Sequence, residues 1–364
     1  MCLLTNSLST AAQENLQLND LGYFHKPGLD VTVFSDYYPD GHQSGVTIIQ
    51  HGNRVAANGD LRLEPSPGQW SPVPKGETRM VDPENQRISQ TLSFPDDSKN
   101  RRGFNPITYP DLNFTYQVHV TALEGNSFKV QVDLDEPLPM EWIGKVGFNL
   151  ELFPGDLFGK SYLMDDGSGI FPDQPVGPMI EFNNEPLAGP LDQGATLVIA
   201  PEEDLQRLVI QSEGDPLELW DGRINHNNGW YIVRSKIPAG ATASAIEWII
   251  TPSTLPEWKY QPVIQVSQLG YHPEQKKSAV VELDITDLPL HEFTVYKLAR
   301  EGRVPVYSGK PAPWGQFLRY QYAILDFTHI SAPGMYQVSY GAELSHPFII
   351  APDVYERDTW QPTL

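Results

Sequence analysis

The densest group of side chains that could do chemistry lies between Leu219 and Tyr231. It combines aromatic rings with polar heads: Trp220, Asp221, Arg223, Asn225, His226, Asn228, Trp230 and Tyr231. Aromatic faces stack on the C–H surfaces of pyranose rings, and carboxylate, amide, guanidinium and imidazole groups hydrogen-bond to sugar hydroxyls. The segment therefore predicts a carbohydrate-binding site.

A hairpin loop is the alternative interpretation of this segment. Asn227-Asn228-Gly229 is a favourable turn sequence, and Trp220 and Trp230 would then anchor the two strands in the core. Only an exposed tryptophan can act as a stacking platform, so the burial of these two rings separates the interpretations. His226 alone does not predict a metal site, because no second His or Cys stands at ligand spacing.

A second candidate segment is acidic and has the sequence Asp165-Asp166-Gly167-Ser168-Gly169. Its composition favours a turn, in which Asp supplies side-chain-to-backbone hydrogen bonds and Gly supplies positive φ. The alternative is a calcium loop with Asp165 and Asp166 as hard oxygen ligands. Apart from this calcium alternative, the sequence predicts no cofactor.

The chain contains 33 prolines and 29 glycines without a repeat period. This content predicts many short strands joined by turns, and these strands must position the residues above. The clearest period-2 strand is Phe128–Leu134, and Glu124-Gly125-Asn126 before it predicts a hairpin turn. Short helices are predicted only over Glu202–Leu208 and Val354–Trp360. The other predicted strands are Val31–Phe34, Gly45–Ile49, Ile88–Leu92, Thr115–Val120, Val146–Phe153, Thr196–Ile199, Arg207–Gln211, Trp230–Arg234 and Ile246–Thr251.

The fold class predicted from this alternation is all-β, with antiparallel sheets that each bury one face. A proline-spaced connector at 252–262 separates a large β-sandwich module, 21–251, from a smaller β-sandwich, 263–352. Residues 1–20 are predicted to be a leader or a disordered N-terminus. Whether the large module is one sandwich or two fused ones is left open by the sequence.

The charge balance narrows the classes of partner. There are 25 basic and 46 acidic residues, a net charge of −21, which disfavours nucleic acid and anionic membrane. A single cysteine, Cys2, excludes an intramolecular disulfide framework. No run of 18 apolar residues predicts a membrane span.

The smaller module carries a family resemblance. Its opening, Gln268-Leu269-Gly270-Tyr271-His272-Pro273, resembles the immunoglobulin-like module that precedes the catalytic domain of family-nine glycoside hydrolases, the cellulase family. The later motifs Pro313-Trp314-Gly315, Pro333-Gly334-Met335-Tyr336 and Pro347-Phe348-Ile349-Ile350 fit the same module. The resemblance implies an immunoglobulin-like sandwich, with residues 353–364 leading into a catalytic barrel that is absent from the chain.

The resemblance also implies what chemistry to look for. Family-nine enzymes are inverting endo-β-glucanases, which need a carboxylate base and a separate carboxylic acid. The family's base motif, Asp-Ala-Gly-Asp, does not occur in this sequence. We therefore expect a non-catalytic N-terminal part of a secreted bacterial hydrolase, in the periplasm, at the cell surface or outside the cell. Its expected partners are a family-nine catalytic domain, which it braces, and β-glucan or another plant polysaccharide.

Two other interpretations remain. The chain could be a stand-alone glycan-binding or structural surface protein without hydrolase activity. Alternatively, the large module could itself be an enzyme of unrecognised type. No Gly-x-Ser-x-Gly elbow is present, so a serine hydrolase of that type has no support.

Overall fold

The structure is a computed structural model that describes residues 15–34, 45–63, 74–94, 112–182, 184–225, 229–255 and 257–357. The chain divides into two compact units, Met1–Trp258 and Lys259–Leu364. This division lies inside the proline-spaced segment 252–262. Among the described residues, no helix is long and apolar enough to cross a membrane.

In its described residues, the large unit consists of strands and three very short helical turns. Its described strands are β1 (Gln17–Leu18), β2 (Phe24–Lys26), β3 (Leu29–Val33), β4 (Val46–Gln50), β5 (Asn53–Leu63), β6 (Lys75–Asp82), β7 (Arg87–Phe94), β8 (Phe114–Ala122), β9 (Phe128–Leu134), β10 (Val146–Leu152), β11 (Ser161–Met164), β12 (Gly167–Ile170), β13 (Met179–Phe182), β14 (Glu185–Ala188), β15 (Asp192–Gly194), β16 (Thr196–Ile199), β17 (Leu208–Ser212), β18 (Leu217–Asp221), β19 (Tyr231–Lys236) and β20 (Ile246–Pro252). The helical turns are a 3-10 turn at Met140–Trp142, α1 (Pro154–Leu157) and α2 (Gly222–Asn225).

Two sheets, each of nine described strands, make up this unit. The first has the order β1-β2-β3-β4-β5-β10-β19-β18-β15, and the second β12-β11-β16-β17-β20-β9-β8-β7-β6. Strands β13 and β14 form a separate hairpin. The predicted turn at 124–126 joins β8 to β9, which pair antiparallel from Tyr116↔Leu134 to Ala122↔Phe128.

One core joins the two sheets, so the large unit is a single sandwich. Phe148 of the first sheet meets Trp248 of the second edge to face, with ring centroids 4.9 Å apart. The Trp248 indole N–H also donates to Ser235 Oγ at 3.0 Å, across the sandwich. Alternation drives this packing: in β9, Phe128, Val130 and Val132 are buried, whereas the residues between them are partly exposed.

Residues 15–20 correct the predicted extent of the disordered N-terminus. Leu16 is buried in the core and its N–H donates to Gly125 O at 2.9 Å. Gln17 and Leu18 pair with β2. The expected boundary at residue 20 is therefore too late, because Leu16 offers an apolar side chain that the sandwich buries. Cys2 lies outside the described residues.

The first part of the proline-spaced segment is bound to the large unit. The Gln50 amide donates to Ser253 O at 2.9 Å, and the Leu255 N–H donates to His51 Nε2 at 3.0 Å. Trp258 packs edge to face on the His51 ring, 5.5 Å away. Burial lowers the pKa of His51, which favours the neutral ring that can accept from Leu255.

The predicted helix over Glu202–Leu208 is wrong. The segment forms turns, and the Glu202 carboxylate accepts from the Ser161 N–H at 2.8 Å and from the Ser161 hydroxyl at 2.5 Å. Ala200, just before it, has a positive φ of 46°. Two backbone hydrogen bonds, from the Gln206 N–H at 3.0 Å and the Arg207 N–H at 2.8 Å to Glu203 O, close a single turn that does not continue as a helix.

The small unit is an immunoglobulin-like sandwich. Its described elements are β21 (Val263–Gln265), β22 (Ser278–Asp284), β23 (Phe293–Ala299), β24 (Gly302–Gly309), β25 (Ala312–Phe317), β26 (Tyr320–Asp326), β27 (Gly334–Tyr340), β28 (Glu343–Leu344), β29 (Phe348–Ile350) and α3 (Val354–Arg357). One sheet has the order β21-β22-β26-β25, and the other the order β24-β23-β27-β28, with β29 also paired to β27. The two sheets enclose a second core without disulfides. Helix α3 confirms the start of the predicted helix at Val354.

The motif at 268–273 has a structural explanation. Gly270 has a φ of 95°, and a Cβ there would lie 2.5 Å from the Ile349 carbonyl oxygen. The next residue, Tyr271, receives the Ser267 N–H on its hydroxyl at 2.9 Å and donates to Ser278 O at 2.7 Å. Lys277 is fully buried, and its ammonium donates to Pro273 O at 2.7 Å. The motif therefore folds a tight loop against β29.

A buried carboxyl in the large unit gives a prediction about pH. Asp60 Oδ1 accepts from the Tyr116 hydroxyl of the other sheet at 2.8 Å, and burial raises the pKa of Asp60 from 3.8 to about 6. The folded state thus keeps a proton that the unfolded state releases near pH 4. This contribution to stability is present below pH 4 and is lost as the pH rises to about 6. A shift of two pKa units corresponds to about 3 kcal/mol.

We expect Asp60→Asn to gain up to about 3 kcal/mol of unfolding free energy relative to the native chain between pH 4 and pH 7. Asparagine stays neutral and keeps an acceptor for Tyr116. Urea unfolding of both proteins across this range measures the difference, and other titrating groups cancel. Asp166→Asn, at an exposed turn, is the control and should give parallel curves. Parallel curves for Asp60→Asn would contradict the prediction.

Candidate functional site

The predicted carbohydrate site lies where β18 runs through α2 to β19. Trp220 and Asp221 end β18, Arg223 and Asn225 are on α2, and Tyr231 begins β19. His226 and Asn228 lie outside the described residues, as does the side chain of Asn225. The structure therefore places five of the eight predicted side chains: those of Trp220, Asp221, Arg223, Trp230 and Tyr231.

Asp221 and Arg223 form a buried bidentate ion pair. Arg223 Nε donates to Asp221 Oδ1 and Nη2 to Oδ2, both at 2.8 Å, and the Asp221 side chain is fully buried. The same guanidinium donates to Pro172 O at 2.7 Å and to Asp173 O at 3.1 Å. Asp221 Oδ2 accepts from the Val176 N–H at 3.1 Å. The pair fastens the segment 172–176 to the end of β18.

Tyr231 belongs to the same network. Its hydroxyl donates to Pro172 O at 2.5 Å, and its ring packs 4.9 Å from Phe171. Burial raises the pKa of Tyr231 to about 12, so the phenol remains a donor at neutral pH. Arg223 lies 4.8 Å from the centre of the Tyr231 ring and 5.0 Å from that of Phe158. The polar atoms of Asp221, Arg223 and Tyr231 are thus engaged in holding the fold.

The two tryptophans differ from that network, because both are partly exposed and neither joins the core. The Trp220 indole N–H donates to Glu218 Oε2 at 2.9 Å. Trp230 packs edge to face against Phe153, with ring centroids 4.7 Å apart. Trp220 alternates with the core residue Leu219, so its ring lies on the face of the first sheet that points away from the core.

This outer face carries polar residues that the sequence analysis did not single out. Cross-strand register aligns Glu218 with Arg234 and Arg234 with Asn149, on β18, β19 and β10. The next row aligns Trp220 with Ile232 and Ile232 with Glu151. All but Trp220 are buried, although each alternates with core residues along its strand. We call these six residues the outer-face grid.

Hydrogen bonds and ion pairs fix the two carboxylates of the grid. Glu218 binds the Trp220 indole through Oε2 and Lys236 Nζ through Oε1, at 2.8 Å. Glu151 Oε2 accepts from the Asn58 amide at 2.5 Å, and Arg62 lies 3.8 Å from its other oxygen. Arg234 donates to Lys145 O at 3.3 Å. The alternation of apolar and polar residues along these strands was the sequence signal that placed the polar residues on one face. Alternation alone predicts that such a face is exposed to solvent, so it did not predict their burial.

The acidic segment at 165–169 forms the turn between β11 and β12. Asp165 has a φ of 46°, and its carboxylate oxygens accept from the N–H groups of Ala195 and Thr196, each at 2.8 Å. Asp166 is exposed. Among the described residues, no three His, Cys, Asp or Glu side chains lie close enough together to hold a metal ion. The turn accounts for Asp165, and calcium stays an untested alternative.

A family model matches most of the small unit. Residues 259–345 match the family model of the cellulase N-terminal ig-like domain, which confirms the resemblance predicted from the motifs. No curated protein matches the chain.

Two similar solved structures each align with 26% of this chain. One is a Bacteroides ovatus GH9 protein, 28% identical with a TM-score of 0.22, over 26% of this chain and 16% of that chain. The other is a metagenome-derived glycoside hydrolase family 9 endoglucanase, 29% identical with a TM-score of 0.23, over 26% of this chain and 18% of that chain. This chain thus matches less than a fifth of the length of either protein.

Proposed function

From the match of residues 259–345 to the cellulase N-terminal ig-like domain, we propose that the chain is the non-catalytic N-terminal part of a secreted bacterial family-nine glycoside hydrolase. The small unit braces the catalytic barrel, and the large unit binds β-glucan. Hydrolysis belongs to the barrel, since the family's base motif does not occur in these 364 residues.

Exposed aromatic side chains on the small unit support the bracing role. Trp314 is 59% exposed and Phe317 is 55% exposed, and both lie on β25, at the edge of its sheet. Trp314 contacts Tyr322 edge to face, with ring centroids 6.0 Å apart, which leaves most of the indole uncovered. Large apolar side chains that stay exposed together are typical of protein–protein interaction sites. We assign β25 as the surface that contacts the barrel.

The bracing role is tested with a family-nine catalytic barrel produced as a separate polypeptide without its own N-terminal domain. We expect the full chain to bind this barrel in calorimetry and to raise its melting temperature. The double change Trp314→Ala and Phe317→Ala should weaken the binding at least tenfold, since buried aromatic anchors carry about 2 kcal/mol or more each.

The control is Leu288→Ala, which removes an 86% exposed side chain of the same unit. It should leave barrel binding unchanged, and all variants should keep the melting temperature of the free chain. Undiminished binding by the double variant would show that β25 is not the contact surface. If the unaltered chain neither binds nor stabilises the barrel, the bracing role is wrong.

A further inference from the structure

The imidazole of His51 joins two segments that are far apart in the chain. Its Nδ1 lies 2.8 Å from Leu205 O, and its Nε2 accepts the Leu255 N–H at 3.0 Å. A carbonyl oxygen can only accept and an amide N–H can only donate, so Nδ1 carries the proton and Nε2 presents its lone pair. Only a neutral ring can make both contacts, since an imidazolium carries a proton on each nitrogen.

The backbone at His51 is unusual for a histidine. His51 and Gly52 form the two-residue loop between β4 and β5, and their φ angles are 50° and 80°. A hairpin loop with two positive φ angles favours Asn-Gly, because a bulky residue is strained in the left-handed region. The loop itself therefore gives no reason for a histidine at this position, whereas the two contacts of the ring do.

The ring is held in place by its neighbours. His51 is 7% exposed, and a Cβ on Gly28 would lie 3.1 Å from its Cδ2. Trp258 packs on the ring edge to face, with ring centroids 5.5 Å apart. A proton on Nε2 would point at the Leu255 N–H, and two donors 3.0 Å apart repel each other. Protonation of His51 is therefore incompatible with this position of Leu255.

Charged side chains on the elements around His51 have other partners or are exposed to solvent. Those with partners are Lys26 with Asn126, Asp30 with His25, Arg54 with the Phe153 ring, Glu202 with Ser161, Glu203 with Lys160, and Asp204 with Arg207. Glu257, on the connector, is exposed. Burial lowers the pKa of His51 below its ordinary value of 6.5, and the hydrogen bond to Leu205 O opposes this shift.

We propose that His51 is a pH-sensitive latch, which holds Leu255 and Trp258 of the proline-spaced connector against the large unit while its ring is neutral and releases them when the ring is protonated. Ser253, just before them, stays bound in either state. The Gln50 amide donates to Ser253 O at 2.9 Å and to Ser253 Oγ at 3.1 Å, and none of these groups titrates between pH 5 and pH 8. The free part of the connector is therefore longer in acid than at neutral pH.

The direction of this pH dependence follows from the difference between the docked and the released ring. The pKa of the released ring lies near 6.5, and that of the docked ring is lower. Docking is therefore fully effective above about pH 6.5 and weakens as the pH falls below it, until the docked ring is itself protonated. In that range the ratio of released to docked connector rises by up to about tenfold per pH unit.

Hydrogen exchange of the Leu255 amide, followed by NMR between pH 5 and pH 7.5, measures the release directly, because this N–H is the donor to His51. After correction for the exchange rate of unstructured peptide, its protection should fall at least about fivefold from pH 7 to pH 5. In His51→Asn, which suits the positive φ, the amide should be weakly protected at every pH. The His51 ring resonances of the unaltered chain should titrate below pH 6.5.

The control is His25→Asn, the same substitution at a histidine that binds Asp30 instead of the connector. It should keep the pH dependence of the unaltered chain, and the Trp248 and Ile250 amides of β20 should stay protected throughout.

The latch is wrong if protection of the Leu255 amide does not change with pH, or if His51→Asn keeps the same pH dependence. Joint loss of protection at Leu255 and on β20 would show that the whole unit unfolds and would equally overturn the proposal. If His51→Asn does not fold, the unaltered chain decides alone: a His51 ring that titrates at or above pH 6.5 would contradict the latch.

Discussion

Replacing Arg223 with methionine is expected to lower the unfolding free energy of the large unit by about 3–5 kcal/mol. The change leaves the fully buried Asp221 carboxylate without its cation and removes the guanidinium donors to Pro172 O and Asp173 O. In a unit of this size the loss should appear as a fall in melting temperature of about 10 °C. Urea unfolding followed by tryptophan fluorescence measures it directly.

The same substitution at Arg207 is the matched control. Arg207 pairs with Asp204 at 3.0 Å, but both side chains are exposed, and such pairs contribute at most about 1 kcal/mol. Arg207→Met should therefore be nearly neutral. If Arg223→Met is equally mild, the Asp221–Arg223 pair does not hold the fold, and its polar groups are available to a ligand as the sequence predicted. Asp221→Asn combined with Arg223→Met should recover part of the loss, since no unpaired charge remains.

The residue types between Trp220 and Tyr231 indicated a cluster of hydrogen-bonding side chains. The partners of those side chains could not be read from the sequence. Asp221 and Arg223 bind backbone groups about 50 positions away, at Pro172, Asp173 and Val176. Amino-acid composition does not reveal such contacts, because they depend on which distant segment of the folded chain packs against this loop. Among the described members of this segment, Trp220 and Trp230 are both partly exposed and lie outside the core.

The outer-face grid was missed for a different reason. In β10 the sequence alternates Phe148, Asn149, Leu150 and Glu151, a pattern that normally places the polar residues in water. Strand pairing and alternation were predicted there, and the structure has both. The polar side chains of β10 contact side chains of another strand, such as Asn58 and Arg62 beside Glu151, and a single strand does not encode these contacts.

Individual strands could be predicted from the sequence where apolar and polar residues alternate regularly. The strands Phe128–Leu134 and Ile246–Thr251 were predicted within about one residue, because apolar residues alternate along them and turn sequences bound them. The number of sandwiches in the large unit could not be predicted in this way. It depends on contacts such as Phe148 with Trp248, which join strands 100 positions apart.

Gly270→Ala is expected to destabilise the small unit by about 4 kcal/mol. The φ of 95° alone costs a residue with a Cβ about 1–3 kcal/mol. The added methyl group would also lie 2.5 Å from both the carbonyl oxygen and the Cγ2 of Ile349, so β29 must shift at a similar further cost. For a unit of about 100 residues, this loss lowers the melting temperature by more than about 15 °C. Scanning calorimetry that resolves the two units should show the change in the small unit alone.

Gly302→Ala separates the two causes of this loss. Gly302 has a φ of 118°, but no atom lies within 4 Å of the position that a Cβ would take. Its replacement should therefore cost only the backbone strain, roughly 1–2 kcal/mol. An equal loss at both positions would show that the contact with Ile349 adds nothing. A larger loss at Gly270 would show that glycine is required in this motif because β29 passes too close for any side chain. The motif that identifies the unit would then be explained by its packing, whereas the exposed Trp314 and Phe317 remain available for a partner.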